Sequence, residues 1–264
     1  MRVFVEGIGL CGPGLDGWVA SLTVLSGALP YQPQPVRIPV TDLLPANERR
    51  RAVQTVKIAL AVGAEAFSAA GRDPAQTATI FASSGGDGDT IDAILKVLAA
   101  PNREVSPTRF HNSVHNAPAG YWSIATGSQA PSSSICAHDD SFVAGLLEAA
   151  AQLVTEQRAV ALISYDICYP APLSLVRPIG AAFGVALVLV PARTEATVAG
   201  LEIELGASRA VSEMESPALE ELRRNTPAAR SLPLLAALAR QEKSFVTLDY
   251  LDDMALDVKV LPCR

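Results

Sequence analysis

The residues best suited to chemistry lie in one stretch of the chain, 106–148. It holds Cys136 and all three histidines of the protein, His111, His115 and His138. A cysteine thiol beside a histidine can form a nucleophilic pair for acyl transfer, because the imidazole accepts the thiol proton. A lone cysteine between an isoleucine and an alanine is also typical of a small residue in the protein core. The sequence leaves both interpretations of Cys136 open.

A cluster of glycines follows the first apolar segment, with the spacing G-x-G-x-x-G-x-G from Gly7 to Gly14. This spacing is similar to the fingerprint of dinucleotide-binding proteins. However, Pro13 interrupts the start of the helix that such a site needs, and no acidic residue ends a second strand about twenty residues later. We therefore predict no cofactor. The cysteines at 11, 136, 168 and 263 contain no CxxC pair, which predicts no metal site, no disulfide and a reducing, cytoplasmic location.

The composition excludes several classes of partner. The chain has 264 residues, a formal net charge of −6, an isoelectric point near 5.1 and 49% hydrophobic residues. An acidic protein of this kind repels nucleic acid. The apolar run 181–191 is too short to span a bilayer, and the first residues lack the charged and then apolar character of a signal sequence. The sequence predicts neither a nucleic-acid partner nor a membrane segment.

The elements that must position these residues alternate between strands and helices. Apolar runs predict strands at 2–8, 77–82, 159–164 and 183–190, and helical periodicity predicts helices at 47–70 and 90–99. This alternation is typical of a layered α/β domain with a mainly parallel sheet. Later segments predict short helices at 216–224 and 232–240 and strands at 245–250 and 256–261. We therefore divide the chain into a main domain, 1–205, and a small α+β appendage packed on it, 206–264.

Basic residues stand out on this acidic chain. Arg49, Arg50, Arg51 and Lys57 lie on the first long predicted helix, and Arg103 precedes the reactive stretch. A row of cations on a helix is most often a solvated face. Its functional interpretation is a small basic patch that binds an acidic partner.

Several segments resemble the β-ketoacyl synthases, which have the thiolase fold. VFVEGIGLCGP at Val3–Pro13 resembles their first strand and turn, and FASSGG at Phe81–Gly86 resembles a later strand with its glycine-rich turn. Ser106–Pro131 resembles their loop, helix and loop, with matching residues at Asn116, Gly120, Gly127 and Pro131. The resemblance is strongest to the chain length factors of aryl polyene and xanthomonadin-type pigment clusters. It implies a thiolase-like layered α/β fold, mainly the N-terminal half of a β-ketoacyl synthase.

The resemblance also implies a degenerate catalytic position. Aligned without gaps, the family's nucleophilic cysteine falls on Asp139, and Cys136 lies three residues too early. Active synthases use two histidines from the second half of their chain, and this sequence has no histidine after residue 138. An aspartate cannot hold an acyl thioester. We expect Asp139, Asp140 and Ser141 to cap the following helix instead.

Two segments of the reactive stretch would face a partner subunit if the family's arrangement applies. Thr108, Arg109, Phe110 and His111 would shape the far end of the partner's acyl tunnel. The strand Ser132, Ser133, Ser134 and Ile135 would pair with the partner's strand, and it would be an exposed edge in a monomer. The five basic residues above would contact acyl carrier protein, whereas Glu104 beside Arg103 favours docking through the partner.

Three functional hypotheses follow. In the first, the chain is a non-catalytic chain length factor that forms a heterodimer with an active β-ketoacyl-ACP synthase and shapes its acyl tunnel. In the second, it is a stand-alone acyltransferase or thioesterase that uses Cys136 with a nearby histidine. In the third, it is a binding module for an acyl group or a carrier protein. The resemblance favours the first.

Overall fold

A computed structural model describes residues 1–263 of the chain. Its strands are β1 (Arg2–Gly12), β2 (Leu15–Asp16), β3 (Ala78–Ala82), β4 (Ser132–Ile135), β5 (Val160–Asp166), β6 (Phe183–Val190), β7 (Ala199–Ala207), β8 (Ser244–Tyr250) and β9 (Met254–Pro262). Its helices are α1 (Trp18–Leu25), α2 (Ala46–Arg51), α3 (Gln54–Ala70), α4 (Gly88–Ala99), α5 (Pro107–Asn112), α6 (Ala117–Thr126), α7 (Ser141–Glu156), α8 (Leu173–Val176), α9 (Pro217–Asn225) and α10 (Leu232–Arg240). Short 3₁₀ turns lie at Pro74–Gln76, His138–Asp140 and Pro227–Ser231.

The strands form one sheet, and the predicted α/β class is confirmed. Their order is β4-β3-β5-β6-β1-β7-β9-β8, and β2 pairs with β1. The prediction of a mainly parallel sheet is wrong. Among the described strands, only β3 is parallel to its neighbours, β4 and β5, and the other pairs are antiparallel. Parallel strands need a crossover connection, and α7 provides one between β4 and β5, which lie on either side of β3. The link from β5 to the antiparallel β6 carries only the four-residue α8.

The helix predicted at 47–70 is divided into α2 and α3. Ala52 and Val53 between them are extended, with ψ angles of 123° and 174°. The Arg51 carbonyl accepts a hydrogen bond from Asn112 Nδ2 at 2.9 Å, so a side chain satisfies a group that a continuous helix would pair with its own backbone. The two residues are 61 positions apart. Hydrophobic periodicity therefore contains no trace of the break.

Helices cover both faces of the sheet. α3 packs against β1, β5 and β6 on one face, and α7 packs against β3 and β5 on the other. Gly9 allows α3 to approach β1 closely, because a Cβ there would lie 1.9 Å from the Val62 carbonyl oxygen. Burial on both faces explains the nearly uninterrupted apolar sequences of β3 and β6. Within residues 1–263, no helix combines the length and the apolar character needed to cross a bilayer.

The C-terminal segment continues the same sheet and core. The boundary proposed after residue 205 falls inside β7, and β9 and β8 extend the sheet beyond it. α10 packs on α1, and the turn Pro227–Ser231 packs on α7. Leu219 and Leu235 belong to the same buried cluster as Leu146 of α7. Residues 206–262 are thus joined to the rest of the chain by backbone hydrogen bonds as well as by side-chain packing.

Gly9→Ala should lower the free energy of unfolding by about 1–3 kcal/mol, because the added methyl group pushes α3 away from β1. Urea denaturation followed by circular dichroism measures this loss. Gly120→Ala is the matched control, since Gly120 lies in α6 with open space at its Cβ position. Alanine there favours the helix and should raise stability by up to about 1 kcal/mol. Equal stabilities for the two variants would contradict the packing role of Gly9.

Candidate functional site

The chain passes from β4 into α7 through a tight turn. His138 in this turn has a φ of 51°, a left-handed conformation that residues other than glycine adopt uncommonly. Ser141 Oγ donates a hydrogen bond to the His138 carbonyl at 2.7 Å and accepts one from the Ala137 N–H at 3.0 Å. These two bonds hold the turn in its unusual geometry.

Asp139, at the position aligned with the family's nucleophile, is held between two arginines. Its Oδ1 accepts from Arg177 at 2.5 Å, and its Oδ2 accepts from Arg230 at 3.0 Å. Burial alone raises the pKa of the Asp139 carboxyl, but the Arg177 hydrogen bond and the charges of both arginines outweigh burial and lower the pKa. Asp139 is therefore a fixed anion with both oxygens engaged.

The predicted capping of α7 by carboxylates is wrong. Asp140 stands at the N-cap but makes no side-chain capping bond. Its carboxylate accepts from Arg230 at 2.8 Å and from the Leu251 N–H at 3.0 Å. Arg230 also lies 3.7 Å from Asp249. Asp139 and Asp140 thus link the start of α7 to the C-terminal segment, because arginine charges attract them more strongly than the helix end does.

Cys136 is exposed and is not the small core residue that one interpretation expects. Its Sγ donates a hydrogen bond to the Ser84 carbonyl at 3.3 Å. The histidines have other neighbours, which are the Tyr121 ring for His111, the Ser83 carbonyl for His115 and Asp139 for His138. In the part of the chain that the structure describes, no hydrogen bond joins Cys136 to a histidine, and no group of three or more His, Cys, Asp or Glu side chains is placed to bind a metal ion.

Sequence reasoning missed a buried carboxylate at the carboxyl end of β5. Asp166, the last residue of β5, accepts from the Ser84 N–H at 2.9 Å, Ser84 Oγ at 2.6 Å, Ser83 Oγ at 3.3 Å and the Ala228 N–H at 2.8 Å. Burial raises the pKa of Asp166 to about 6, although these hydrogen bonds lower it. The available signal was an acidic residue directly after an apolar strand, where a buried charge needs partners.

The residues predicted to face an acyl tunnel lie on α5. Thr108, Arg109, Phe110 and His111 are all exposed. Thr108 and His111 line an open groove of about 460 Å³, whose other walls are Glu48, Arg51, Pro107, Tyr121 and Ile124. The contact of α5 with a partner's tunnel stays a prediction.

The strand β4 lies at the edge of the sheet. Ser132 and Ser133 are exposed, and Ser134 and Ile135 are half-buried. On its inner side, the carbonyls of Pro131 and Ile135 accept hydrogen bonds from β3 and its extension. Because peptide groups alternate in direction along a strand, those of Ser132 and Ser134 point toward the open edge. A strand from another chain can pair there.

Large apolar side chains are exposed on the segment between β3 and β4. They are Ile91, Leu95 and Leu98 on α4, Phe110 on α5, Val114, and Ile124 on α6. The three on α4 recur at helical spacing, so this helix turns an apolar face to solvent. Exposed apolar faces of this kind mark sites of protein–protein contact.

Three of the five predicted carrier-protein contacts already have partners within the chain. Arg49 pairs with Asp42, Arg50 donates to Asn47, and Arg51 pairs with Glu48. Lys57 and Arg103 are exposed. The carboxylates paired with Arg49 and Arg51 weaken the positive potential that an acidic partner would meet, whereas the neutral Asn47 leaves the charge of Arg50 uncompensated.

Comparison with known proteins identifies related folds. The family model described as "Beta-ketoacyl synthase, N-terminal domain" matches residues 26–250. No curated protein matches the chain. A solved structure of "Ketosynthase (ApeO) in Complex with its Chain Length Factor (ApeC) from Xenorhabdus doucetiae" has a TM-score of 0.76 and 22% identity, covering 98% of this chain and 99% of the other.

Two further structures extend this likeness. "The ishigamide ketosynthase/chain length factor" has a TM-score of 0.73 and 12% identity, covering 99% of both chains. A complex of the ketosynthase AntDE with its acyl-carrier protein AntF has a TM-score of 0.75 and 12% identity, also covering 99% of both chains. At these identities the likeness establishes the fold. It confirms the predicted thiolase-like architecture and extends it to residues 206–262, which the sequence analysis assigned to an appendage.

The free energy of unfolding should rise by about 1 kcal/mol through Asp166 as the pH falls from about 7 to about 5. The pKa of Asp166 is about 6 in the folded protein and about 3.9 in an unfolded chain, so the folded state binds the proton more tightly. Urea denaturation at the two pH values measures the change.

Asp166→Asn is the control, because an amide does not titrate in this range. Burial also raises the pKa of Asp89 and Asp140, so the informative quantity is the difference in pH dependence between the variant and the wild type. The same pH dependence in both proteins would refute the assignment to Asp166.

Proposed function

Because this chain belongs to the family of β-ketoacyl synthase N-terminal domains, we propose that it is a non-catalytic subunit of the chain length factor type. It pairs with an active β-ketoacyl-ACP synthase in the cytoplasm, as a heterodimer, and helps to shape the acyl tunnel of that partner. The observation that carries this proposal is the state of Asp139. The residue at the nucleophile position is an anion held by two arginines.

The chemistry of acyl transfer explains why this geometry supports a non-catalytic role. A synthase needs a thiolate that attacks an acyl thioester and holds the acyl group, with donors aimed at the developing oxyanion. Asp139 supplies no sulfur, and both of its oxygens are occupied by guanidinium groups. The nearest thiol, Cys136, bonds to a backbone carbonyl in place of a histidine.

Two surfaces support assembly with a partner. The outward peptide groups of β4 offer hydrogen bonds to a second strand, and the apolar faces of α4 and α5 offer buried area. An edge strand with exposed apolar neighbours is unfavourable in an isolated protein and favourable in a dimer. Thr108, Arg109, Phe110 and His111 lie on the same segment, which supports their contact with the partner's tunnel.

The similar structures support the choice of partner. Two of them are named as complexes of a ketosynthase with a chain length factor, and a third contains an acyl-carrier protein bound to its ketosynthase. Here the ion pairs of Arg49 and Arg51 within the chain favour carrier-protein docking on the synthase subunit. Arg50, Lys57 and Arg103 remain the residues of this subunit best placed to assist.

Ser132→Pro should disrupt the heterodimer while the isolated chain stays folded. Proline removes an outward N–H at the first residue of a strand, a position where proline is tolerated. Co-expression with the synthase of the same organism, followed by size-exclusion chromatography and a product assay, should show at least a roughly tenfold loss of complex, as expected for an interface hot spot.

Ser132→Ala is the matched control, because it removes only the hydroxyl, which accepts a hydrogen bond from Thr79. It should assemble like the wild type. Equal losses for the two variants would argue against strand pairing at this edge. A wild-type chain that never associates with the synthase would refute the proposed function itself.

Cys136→Ala should leave the product yield of the heterodimer unchanged. Intact mass spectrometry should detect no acyl adduct on the purified chain. An acyl adduct that disappears in Cys136→Ala, together with turnover by the single chain, would favour the stand-alone acyltransferase hypothesis.

A further inference from the structure

A loop beside the turn at Asp139 presents two apolar side chains to solvent. It runs over residues 169–177, between β5 and β6, and contains α8. Leu175 and Val176, which we name the apolar tip, are 80% and 81% exposed. The backbone beneath them is ordered by hydrogen bonds from the N–H groups of residues 174, 175 and 177 to carbonyls within the loop, at 2.9–3.0 Å. The tip is therefore exposed but structured.

Tyr169 fastens one end of this loop. Its side chain lies against Gly85 and Gly88, at the start of α4. A Cβ on Gly85 would lie 1.9 Å from the Tyr169 hydroxyl oxygen, and a Cβ on Gly88 would lie 2.5 Å from its ring. Only glycine at these two positions leaves room for the tyrosine.

Asp139 fastens the other end. Arg177, the residue after the tip, donates to Asp139 at 2.5 Å, and the side chains are only 22% and 31% exposed. Arg230 holds the same carboxylate from a second direction. Charge-assisted hydrogen bonds that are partly shielded from water are stronger than fully exposed ion pairs. Asp139 thus fixes the place of Arg177, and with it the end of the loop that carries the tip.

We propose that Asp139 positions the apolar tip, Leu175 and Val176, as a contact surface for the synthase subunit. This inference rests on the proposed function and adds an assembly role for the residue at the former nucleophile position. Asp139 acts through Arg177 and is a positioning residue.

The location of the loop favours the synthase as the occupant. Cys136, the first residue after β4, bonds to the Ser84 carbonyl, and the neighbouring Gly85 receives Tyr169. The loop and the end of the edge strand therefore share one corner of the molecule. A partner that pairs with β4 would therefore lie close to Leu175 and Val176.

The charges around the tip point to the same occupant. Arg177 and Arg230 are the cations nearest to Asp139, and both are paired with carboxylates. The tip accordingly offers apolar area without the free positive charge that attracts an acidic partner. Preordered apolar side chains of this kind fit the buried centre of a protein–protein interface.

The test compares affinities for the purified synthase, measured by biolayer interferometry. Leu175→Ser/Val176→Ser should raise the Kd about tenfold or more, because two apolar side chains leave the interface. Val19→Ser on α1 is the matched control, since this valine is 75% exposed on a helix that packs against α10. Its Kd should equal that of the wild type. Circular dichroism of each free variant should show an unchanged fold, because the replaced side chains are already exposed.

Asp139→Asn tests the positioning role. It should raise the Kd and, in the free chain, speed hydrogen exchange of the amides at 173–177, whereas the charge-preserving Asp139→Glu should recover most of the affinity. Exchange in this loop is a readout that a general loss of stability does not selectively change.

The outcomes separate the two proposals. A tip variant that binds like the wild type, while Ser132→Pro does not bind, overturns this inference and leaves the proposed function standing. If the tip variant raises the Kd and Asp139→Asn does not, the positioning role of Asp139 is overturned. If the tip variant and Val19→Ser lose the same amount of affinity, the assignment of Leu175 and Val176 to the interface is overturned. A wild-type chain that does not bind the synthase overturns both proposals.

Discussion

The corner of the molecule at the carboxyl ends of β3 and β5 depends on the buried carboxylate of Asp166. It accepts hydrogen bonds from the hydroxyls of Ser83 and Ser84 and from the Ser84 N–H. The carbonyls of those two serines then bind His115 and Cys136. A buried charge is costly unless it is well supplied with donors, and here the donors come from separate segments of the chain. Bonds that order the whole corner thus offset part of the cost of burying this carboxylate, whose pKa stays raised to about 6.

The same arrangement explains why the C-terminal segment cannot be treated as a separate unit around the site. The 3₁₀ turn Pro227–Ser231 supplies the Ala228 N–H to Asp166 and the Arg230 side chain to Asp139 and Asp140. One short turn therefore holds both the buried carboxylate and the carboxylates at the start of α7. Because β7 crosses the boundary drawn from the sequence, backbone hydrogen bonds reinforce this connection.

The sequence revealed those features that local patterns encode. Strand β6 was predicted with its correct bounds, because burial on both faces leaves a continuous apolar run. The family resemblance placed Asp139 rather than Cys136 at the nucleophile position, and the structure places Asp139 in the turn before α7.

Contacts between distant residues were not predictable. Arg177 and Arg230 lie 38 and 91 positions from Asp139, and local periodicity carries no information on such pairs. Strand direction was missed for a similar reason, since an apolar run reads the same in both directions.

The double ion pair of Asp139 also bears on what a cysteine at this position would cost in stability. A cysteine at this position would leave Arg177 without its carboxylate partner and Arg230 with Asp140 and Asp249 alone, in a site that is partly shielded from water. Removing one member of such a pair usually costs more stability than forming it provides. Replacing Asp139 with cysteine is therefore opposed by folding. Under the proposed non-catalytic role, the exchange of a thiol for Asp139 is hard to reverse, because this carboxylate is part of what holds the protein together.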